Sequence, residues 1–124
     1  MTRRHSQSNR RAVAQAIIDM DESWIALFAD LGLGDLCYSD LFTHMWLRRD
    51  QLLRKTDLYA CMPSISRRTA VKYVQQLIDQ GLLEETGSED DRRVRQVALT
   101  EPVIERLERF YDQACEHFAA LARS

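Results

Sequence analysis

The stretch SRRTAVKYVQQLIDQG, residues 66–81, decides the fold of this chain. Its apolar residues recur at steps of three and four, which is the spacing of one face of an α-helix. The hydroxyl of Ser66 can cap the start of this helix, and Gly81 can end it in the left-handed conformation that glycine tolerates. The sequence therefore predicts a helix over residues 67–80, whose apolar stripe consists of Ala70, Val71, Val74, Leu77 and Ile78.

A shorter helix is predicted just before this one. Thr56 and Asp57 can cap it, and it extends to about Met62, because Pro63 prevents its continuation. Only residues 63–65 then separate the two helices. A short helix, a tight turn and a strongly amphipathic second helix are typical of the helix-turn-helix motif.

Two short strands are predicted after the motif. Residues 82–86 and 94–99 flank a polar, charged segment over residues 87–93, and the second run has period-two character at Val97 and Leu99. This arrangement predicts a β-hairpin with a long exposed tip.

Longer helices flank this region. The first is predicted from about Asn9 to Leu31, capped by Ser8 and ended by Gly32. A second helix is predicted to begin at Ser39, and the last helix follows Thr100 as its cap and continues to the end of the chain. The predicted fold is therefore mainly α-helical with a small β-hairpin, in one domain over residues 1–124. Residues 9–31 and 101–122 are its flanking helices, and residues 39–100 form its winged helix-turn-helix region.

Two stretches resemble the MarR-type winged-helix transcriptional regulators. LIDQGLL, residues 77–83, resembles the end of that family's recognition helix as it continues into the wing. DRRVRQVALT, residues 91–100, resembles its wing, with an aspartate, an arginine two residues later and Leu-Thr at the close. The resemblance covers residues 56–100 well and the flanking helices only in their order and approximate length.

This resemblance implies a homodimeric DNA-binding regulator, and we expect it to act as a repressor in the cytoplasm. The family's recognition helix enters the major groove, its wing reaches the minor groove, and the first and last helices of two subunits intertwine. Arg93 matches the wing arginine, and Asp91 matches the acid that orients it. Arg92 and Arg95 are expected to contact DNA beside them.

The charge pattern is compatible with this function although the net charge is −2. Residues 44–72 contain seven basic residues and only two acids, Asp50 and Asp57. Residues 12–40 and 73–91, in contrast, each contain six acids and no base. Such segregation can create a positive face on a nearly neutral protein. Arginine pairs with guanine in the major groove, and hydroxyl groups can serve bases or phosphates. The expected contacts from the motif are Ser66, Arg67, Arg68, Thr69 and Lys72. The alternative is a winged-helix adaptor or anti-regulator that contacts proteins and not DNA.

Other classes of function find little support in the sequence. The histidines and cysteines lack the spacing of a metal site, and there is no glycine-rich phosphate loop or nucleophile elbow. We therefore expect neither enzymatic activity nor a cofactor, and the N-terminal residues contain no apolar segment typical of a secretory signal. No apolar run is long enough to span a membrane.

Three further expectations concern the flanking helices and one thiol. The broad apolar stripes of both terminal helices must be covered, and a two-fold dimer would cover both. An effector pocket could be lined by Trp24, Phe28, Trp46 and Tyr111, although aromatic residues on helical stripes are more often core residues. Cys37, beside Tyr38, is either an oxidant-sensing or an inert thiol.

Overall fold

The computed structural model describes residues 4–87 and 95–123. Its helices are α1 (Gln7–Phe28), α2 (Leu36–Leu47), α3 (Lys55–Tyr59), α4 (Arg67–Asp79) and α5 (Glu101–Arg123), and its strands are β1 (Leu83–Gly87) and β2 (Arg95–Leu99). A single 3₁₀ turn, Ala29–Leu31, follows α1. The chain divides into two units. Unit 1 consists of Met1–Gly34 and Arg106–Ser124, and unit 2 consists of Asp35–Glu105.

In unit 1, an aromatic core joins the end of α1 to α5. The Trp24 ring stacks on Phe28 with 4.0 Å between centroids and meets Phe110 edge-on at 5.2 Å. The indole Nε1 of Trp24 donates a 2.8 Å hydrogen bond to the carbonyl of Leu33. The buried indole therefore keeps a partner for its polar group, which also fixes the chain segment that leaves α1.

Both predicted glycines adopt the left-handed conformation, but only Gly81 follows the cap of its α-helix, whereas α1 ends at Phe28 and Gly32 closes the 3₁₀ turn after it. Gly32 and Gly81 adopt φ values of 74° and 75°. The amide after each glycine bonds back to a carbonyl of the preceding helix, Leu33 to Phe28 at 3.1 Å and Leu82 to Leu77 at 2.9 Å. These bonds satisfy helix carbonyls that would otherwise lack a donor.

The helix-turn-helix motif and the hairpin make up most of unit 2. The core between the two motif helices contains only apolar side chains that are almost fully buried, namely Leu58, Met62, Ala70, Val74 and Leu77. The strands pair antiparallel with Leu83 opposite Leu99 and Gly87 opposite Arg95. The amide of Val97 also donates a 2.8 Å hydrogen bond to the carbonyl of Leu53, which ties the loop before α3 to the edge of β2. The predicted mainly helical fold with one hairpin is thus confirmed.

Three predicted helix starts are wrong. The cap of α1 is Ser6 and not Ser8, because the Ser6 hydroxyl accepts the amide of Asn9 at 3.1 Å. Helix α2 begins at Leu36 after Asp35, so Ser39 lies inside it. Helix α3 begins at Lys55 because the Asp57 carboxylate accepts the amide of Arg54 at 2.8 Å, which closes the first turn earlier than predicted.

Thr100 directly precedes α5, at the predicted cap position. Its hydroxyl donates a 3.0 Å hydrogen bond to the carbonyl of Leu82. The backbone carbonyl of Thr100 accepts the amides of Val103 and Ile104 in the first turn of α5. Thr100 therefore closes the base of the hairpin.

Candidate nucleic-acid interface

The start of α4 is closed by two hydroxyl side chains. Ser66 Oγ accepts the amide of Thr69 at 3.2 Å and donates to Thr69 Oγ1 at 2.9 Å. The structure thus brings together two of the predicted site residues. Because Thr69 Oγ1 accepts this bond, its own hydroxyl proton is left to donate, and the cap keeps the first turn of α4 regular.

The basic residues of α4 have different surroundings. The guanidinium of Arg67 lies 5.3 Å from the centre of the Tyr59 ring, in the range of a cation–π contact. Arg68 and Lys72 are exposed and four residues apart, so they share one face of the helix. Among residues 4–87 and 95–123, neither forms an ion pair with an acid. We call Arg68 and Lys72 the basic face of α4.

The buried side chains on the opposite side of α4 determine where its basic face points. Ala70, Val74 and Leu77 are each at most 1 % exposed. Tyr73 stacks on Tyr38 of α2, with 5.4 Å between ring centroids. Since these side chains determine the rotation of α4 about its axis, Arg68 and Lys72 point outward.

A hydrogen-bonded network continues along the basic face. Gln75 lies seven residues after Arg68, which places it on the same face of the helix. Gln75 Oε1 accepts a 3.1 Å bond from Lys55 Nζ, and Gln75 Nε2 donates a 3.0 Å bond to Asp79. The face therefore changes from cations without an acidic partner among the described residues, at the start of α4, to bonded groups at its end.

Glu85 of β1 joins this network to the hairpin. Its carboxylate accepts Lys55 Nζ at 3.0 Å and Arg95 Nη1 at 3.1 Å. The hydrogen bond from Lys55, followed by that from Arg95, holds the pKa of the Glu85 carboxyl below its ordinary value, against an opposing effect of burial. The Glu85 side chain is 12 % exposed, against 33 % for Lys55 and 58 % for Arg95, so the Arg95 pair is an ordinary surface pair and the Lys55 pair is the better shielded of the two. Sequence reasoning placed Arg95 on DNA and missed Glu85, because their contact depends on the register of the hairpin.

The other predicted wing residues, Asp91, Arg92 and Arg93, lie outside the described residues. Their roles stay predictions.

The four aromatic residues of the predicted effector pocket are divided between the two units. Trp24 and Phe28 are core residues of unit 1, and Tyr111 contacts their neighbour Phe110 edge-on at 5.7 Å. Trp46 belongs to unit 2, where the Arg49 guanidinium lies 4.0 Å from its ring centre. A cavity of about 250 Å³ does occur in unit 2, between the end of α2 and β2. None of the four predicted residues lines it. Its lining consists of Met45, Arg48, Arg49, Asp50, Gln51, Leu53, Val97, Ala98, Leu99 and Ile104. The effector pocket stays a prediction.

The three thiols differ in accessibility. Cys37 and Cys61 are each 4 % exposed, and burial raises the pKa of both thiols. Asp35 adds to this effect at Cys37. Cys115 is exposed on α5. A buried thiol with a raised pKa is a poor nucleophile, so the structure favours the inert alternative for Cys37.

The described part of the chain, residues 4–87 and 95–123, offers neither a metal-binding cluster nor a helix that could cross a bilayer. No group of three or more His, Cys, Asp and Glu side chains there is arranged to hold a metal ion. None of the helices described is both long enough and apolar enough to cross a bilayer.

Several solved structures, among them transcription factors and repressors, are similar in fold to this chain. MepR carrying the F27L substitution, from a multidrug-resistant S. aureus clinical isolate, is 14% identical, with a TM-score of 0.68 over 98% of this chain and 84% of its own. A MarR transcription factor from Planctomyces limnophilus is 18% identical, with a TM-score of 0.51 over 97% and 90% of the two chains. The transcriptional repressor CouR, bound to a 23-mer DNA duplex, is 22% identical, with a TM-score of 0.50 over 82% and 68%. No protein-family sequence model and no curated protein sequence matches the chain.

Proposed function

We propose that this chain, which has the winged helix-turn-helix fold of the MarR-type transcriptional regulators, binds double-stranded DNA sequence-specifically and represses transcription. The observation that carries the proposal is the basic face of α4. Arg68 and Lys72 are exposed, lack an acidic partner among the described residues and follow a capped helix start. The likeness in fold to a repressor solved on a DNA duplex supports it.

The physical mechanism needs no chemical step. The major groove admits one α-helix, whose first residues meet the base edges. Arg68 can pair with a guanine through two hydrogen bonds, Lys72 can neutralise a phosphate, and Thr69 can donate its hydroxyl proton to a phosphate oxygen. A protein held on a promoter in this way excludes the polymerase. The cytoplasm is the compartment in which we expect this to occur.

Fluorescence anisotropy with a labelled pool of random duplexes, repeated over a range of salt concentrations, tests DNA binding. Lys72→Ala should weaken binding and reduce the slope of log affinity against log salt by about 1, because one fewer phosphate counterion is released. Arg68→Ala should weaken binding through the loss of its guanine contact. Arg11→Ala is the matched control, since Arg11 is an exposed arginine on α1, outside the motif. Equal losses in all three variants would mean that α4 has no special role.

Charge reversal separates a DNA reader from a protein adaptor. Arg67→Glu combined with Arg68→Glu should abolish repression of a reporter promoter if the chain acts on DNA. Unchanged function together with lost DNA affinity would instead support the adaptor alternative and contradict our proposal.

The proposed functional form is a homodimer, built from residues 9–31 and 101–122. Val13 and Ile17 of α1 lie on the same helical stripe as Trp24 and Phe28, but only the last two are buried. Val13 is 48% exposed and Ile17 55%, while Phe118 near the end of α5 is 56% exposed. An apolar stripe that continues beyond its own core favours burial against a second copy of the same helices.

Sedimentation velocity tests the dimer. Ile17→Glu should shift the protein to monomer, because a charge would enter the interface. Ala26→Glu places the same charge on the polar side of α1 and should leave the dimer intact. Circular dichroism shows whether both variants retain their helices. A wild-type protein that sediments as a monomer at high concentration would contradict the dimer.

An effector that releases DNA is the last part of the proposal. A thermal-shift screen of small aromatic acids tests it. No shift with any member of the screen would count against an effector of this class.

A further inference from the structure

The carboxylate of Glu85 lies at the margin of the basic face of α4. It accepts hydrogen bonds from Lys55, at the start of α3, and from Arg95, at the start of β2. Lys55 also bonds to Gln75, which shares its helix face with Arg68 and Lys72. One partly exposed carboxylate therefore holds two cations next to a surface that we assign to DNA.

Among the described residues, Lys55 and Arg95 bond to an acid, whereas Arg68 and Lys72 do not. Lys55 donates to two oxygens, those of Glu85 and Gln75, and Arg95 donates to Glu85. Arg68 and Lys72 have no such bonds to acids among the described residues. A cation that is already bonded to a carboxylate gains less from a phosphate, because that bond must break first. The carboxylate itself also repels phosphates.

We propose that Glu85 is a positioning residue that limits the DNA interface to the start of α4, by keeping Lys55 and Arg95 from making sequence-independent phosphate contacts. This rests on the proposed function. Affinity from phosphate contacts is the same for every sequence, so two additional contacts would strengthen non-specific binding and reduce discrimination. Glu85 would thus determine specificity without touching a base.

Glu85→Gln tests the proposal, with Glu84→Gln as its matched control. The two variants remove the same charge from neighbouring residues of β1, but Glu84 is exposed and forms no ion pair among the described residues. Binding of random duplexes is measured against salt. For Glu85→Gln the slope of log affinity against log salt should become steeper by roughly 0.9 to 1.8, one or two released counterions. Glu84→Gln should leave it unchanged, and equal slopes for the two variants would overturn the proposal.

Two additional variants keep the test valid if Glu85→Gln does not fold. In the otherwise wild-type protein, Lys55→Met and Arg95→Gln should each leave the slope unchanged, because neither cation reaches a phosphate. A decrease of about 0.9 in either variant would mean that the cation already contacts DNA, contrary to the proposal. In a folded Glu85→Gln protein, adding both changes should restore the wild-type slope.

Retention on heparin separates this inference from the proposed function. Heparin is a polyanion without base sequence, and Glu85→Gln should elute from it at higher salt than Glu84→Gln. If the wild type binds no DNA while the two variants still differ on heparin, the DNA-binding proposal fails and the holding of the two cations stands. If the two variants elute at the same salt concentration, the proposal that Glu85 holds Lys55 and Arg95 is contradicted, whether or not the wild type binds DNA.

Discussion

Tyr38 of α2 and Tyr73 of α4 form one aromatic stack, with ring centroids 5.4 Å apart and planes 23° from parallel. Tyr73 directly follows Lys72 in the chain, so the same turn of α4 carries a core anchor and an exposed cation. An aromatic pair of this kind contributes about 0.5–1.5 kcal/mol beyond the area that it buries. The stack therefore helps to hold the basic face of α4 in place.

The burial of Tyr38 predicts that the folded protein loses stability in alkali. Burial, with smaller contributions from neighbouring groups, raises the pKa of Tyr38 from 10.0 to about 12. Between these two pH values the folded protein retains the phenol proton while the unfolded chain releases it, so the free energy of unfolding decreases as pH rises. Tyr38→Phe should remove this contribution. Urea unfolding of both proteins at neutral pH and over this alkaline range measures the difference, and parallel stability curves would contradict the assignment.

The turn after α4 makes a second prediction. Gly81 has a φ of 75° with nothing within 4 Å of the position that a Cβ atom would occupy. Gly81→Ala should therefore destabilise the protein by about 1 kcal/mol, through backbone strain and not through a clash.

Gly34→Ala is the control for this substitution. Gly34 is likewise open to a Cβ atom, but it is not among the glycines with positive φ. Thermal unfolding should show a lower Tm for Gly81→Ala only. An equal decrease in both variants would mean that the conformation at Gly81 is not the cause.

Arg67 and Arg68 are adjacent but should respond differently to substitution. Arg67→Ala loses the contact with Tyr59 and should reduce the free energy of unfolding by about 0.5–1 kcal/mol. Arg68→Ala should leave stability within about 0.5 kcal/mol of wild type, as is usual for exposed positions, and act on DNA affinity. Chemical denaturation and anisotropy on the same preparations measure both effects. The reverse pattern would contradict the geometry of α4.

The cysteines should react in a fixed order. Cys115 is exposed, whereas Cys37 and Cys61 are buried with raised thiol pKa values. A thiol reagent should modify Cys115 first, and the other two only after denaturant is added. Peptide mapping by mass spectrometry identifies the modified residues. Fast modification of Cys37 in the folded protein would revive its role as an oxidant sensor.

Local signals made much of the fold predictable. Helix α4 carries its cap, its apolar stripe and its terminal glycine within one continuous stretch of sequence. The structure confirms the cap and the glycine. Of the predicted stripe it buries Ala70, Val74 and Leu77, whereas Val71 is 41% exposed. Helix α2 lacks such signals. Asp35 makes no side-chain cap bond, so no capping signal marks the true start at Leu36, and the hydroxyl of Ser39 predicts a start three residues too late.

The candidate site was predictable only where it depends on position along one helix. Ser66, Arg68 and Lys72 follow from the spacing of α4. The ion pairs of Glu85 do not, because they require the hairpin register that places Glu85 opposite Val97 and diagonal to Arg95. The sequence also predicts the same role, contact with DNA, for Arg67 and Arg68. In the structure the guanidinium of Arg67 lies over the ring of Tyr59, which distinguishes it from Arg68.

The arrangement of α4 has a consequence for how such a protein can diverge. The residues that hold the helix, such as Ala70, Val74 and Leu77, are distinct from the exposed residues at positions 68 and 72. Substitutions at those two positions can accumulate without disturbing the core or the turn at Gly81. A lineage of duplicated copies could thus acquire new target preferences one side chain at a time while inheriting an unchanged scaffold.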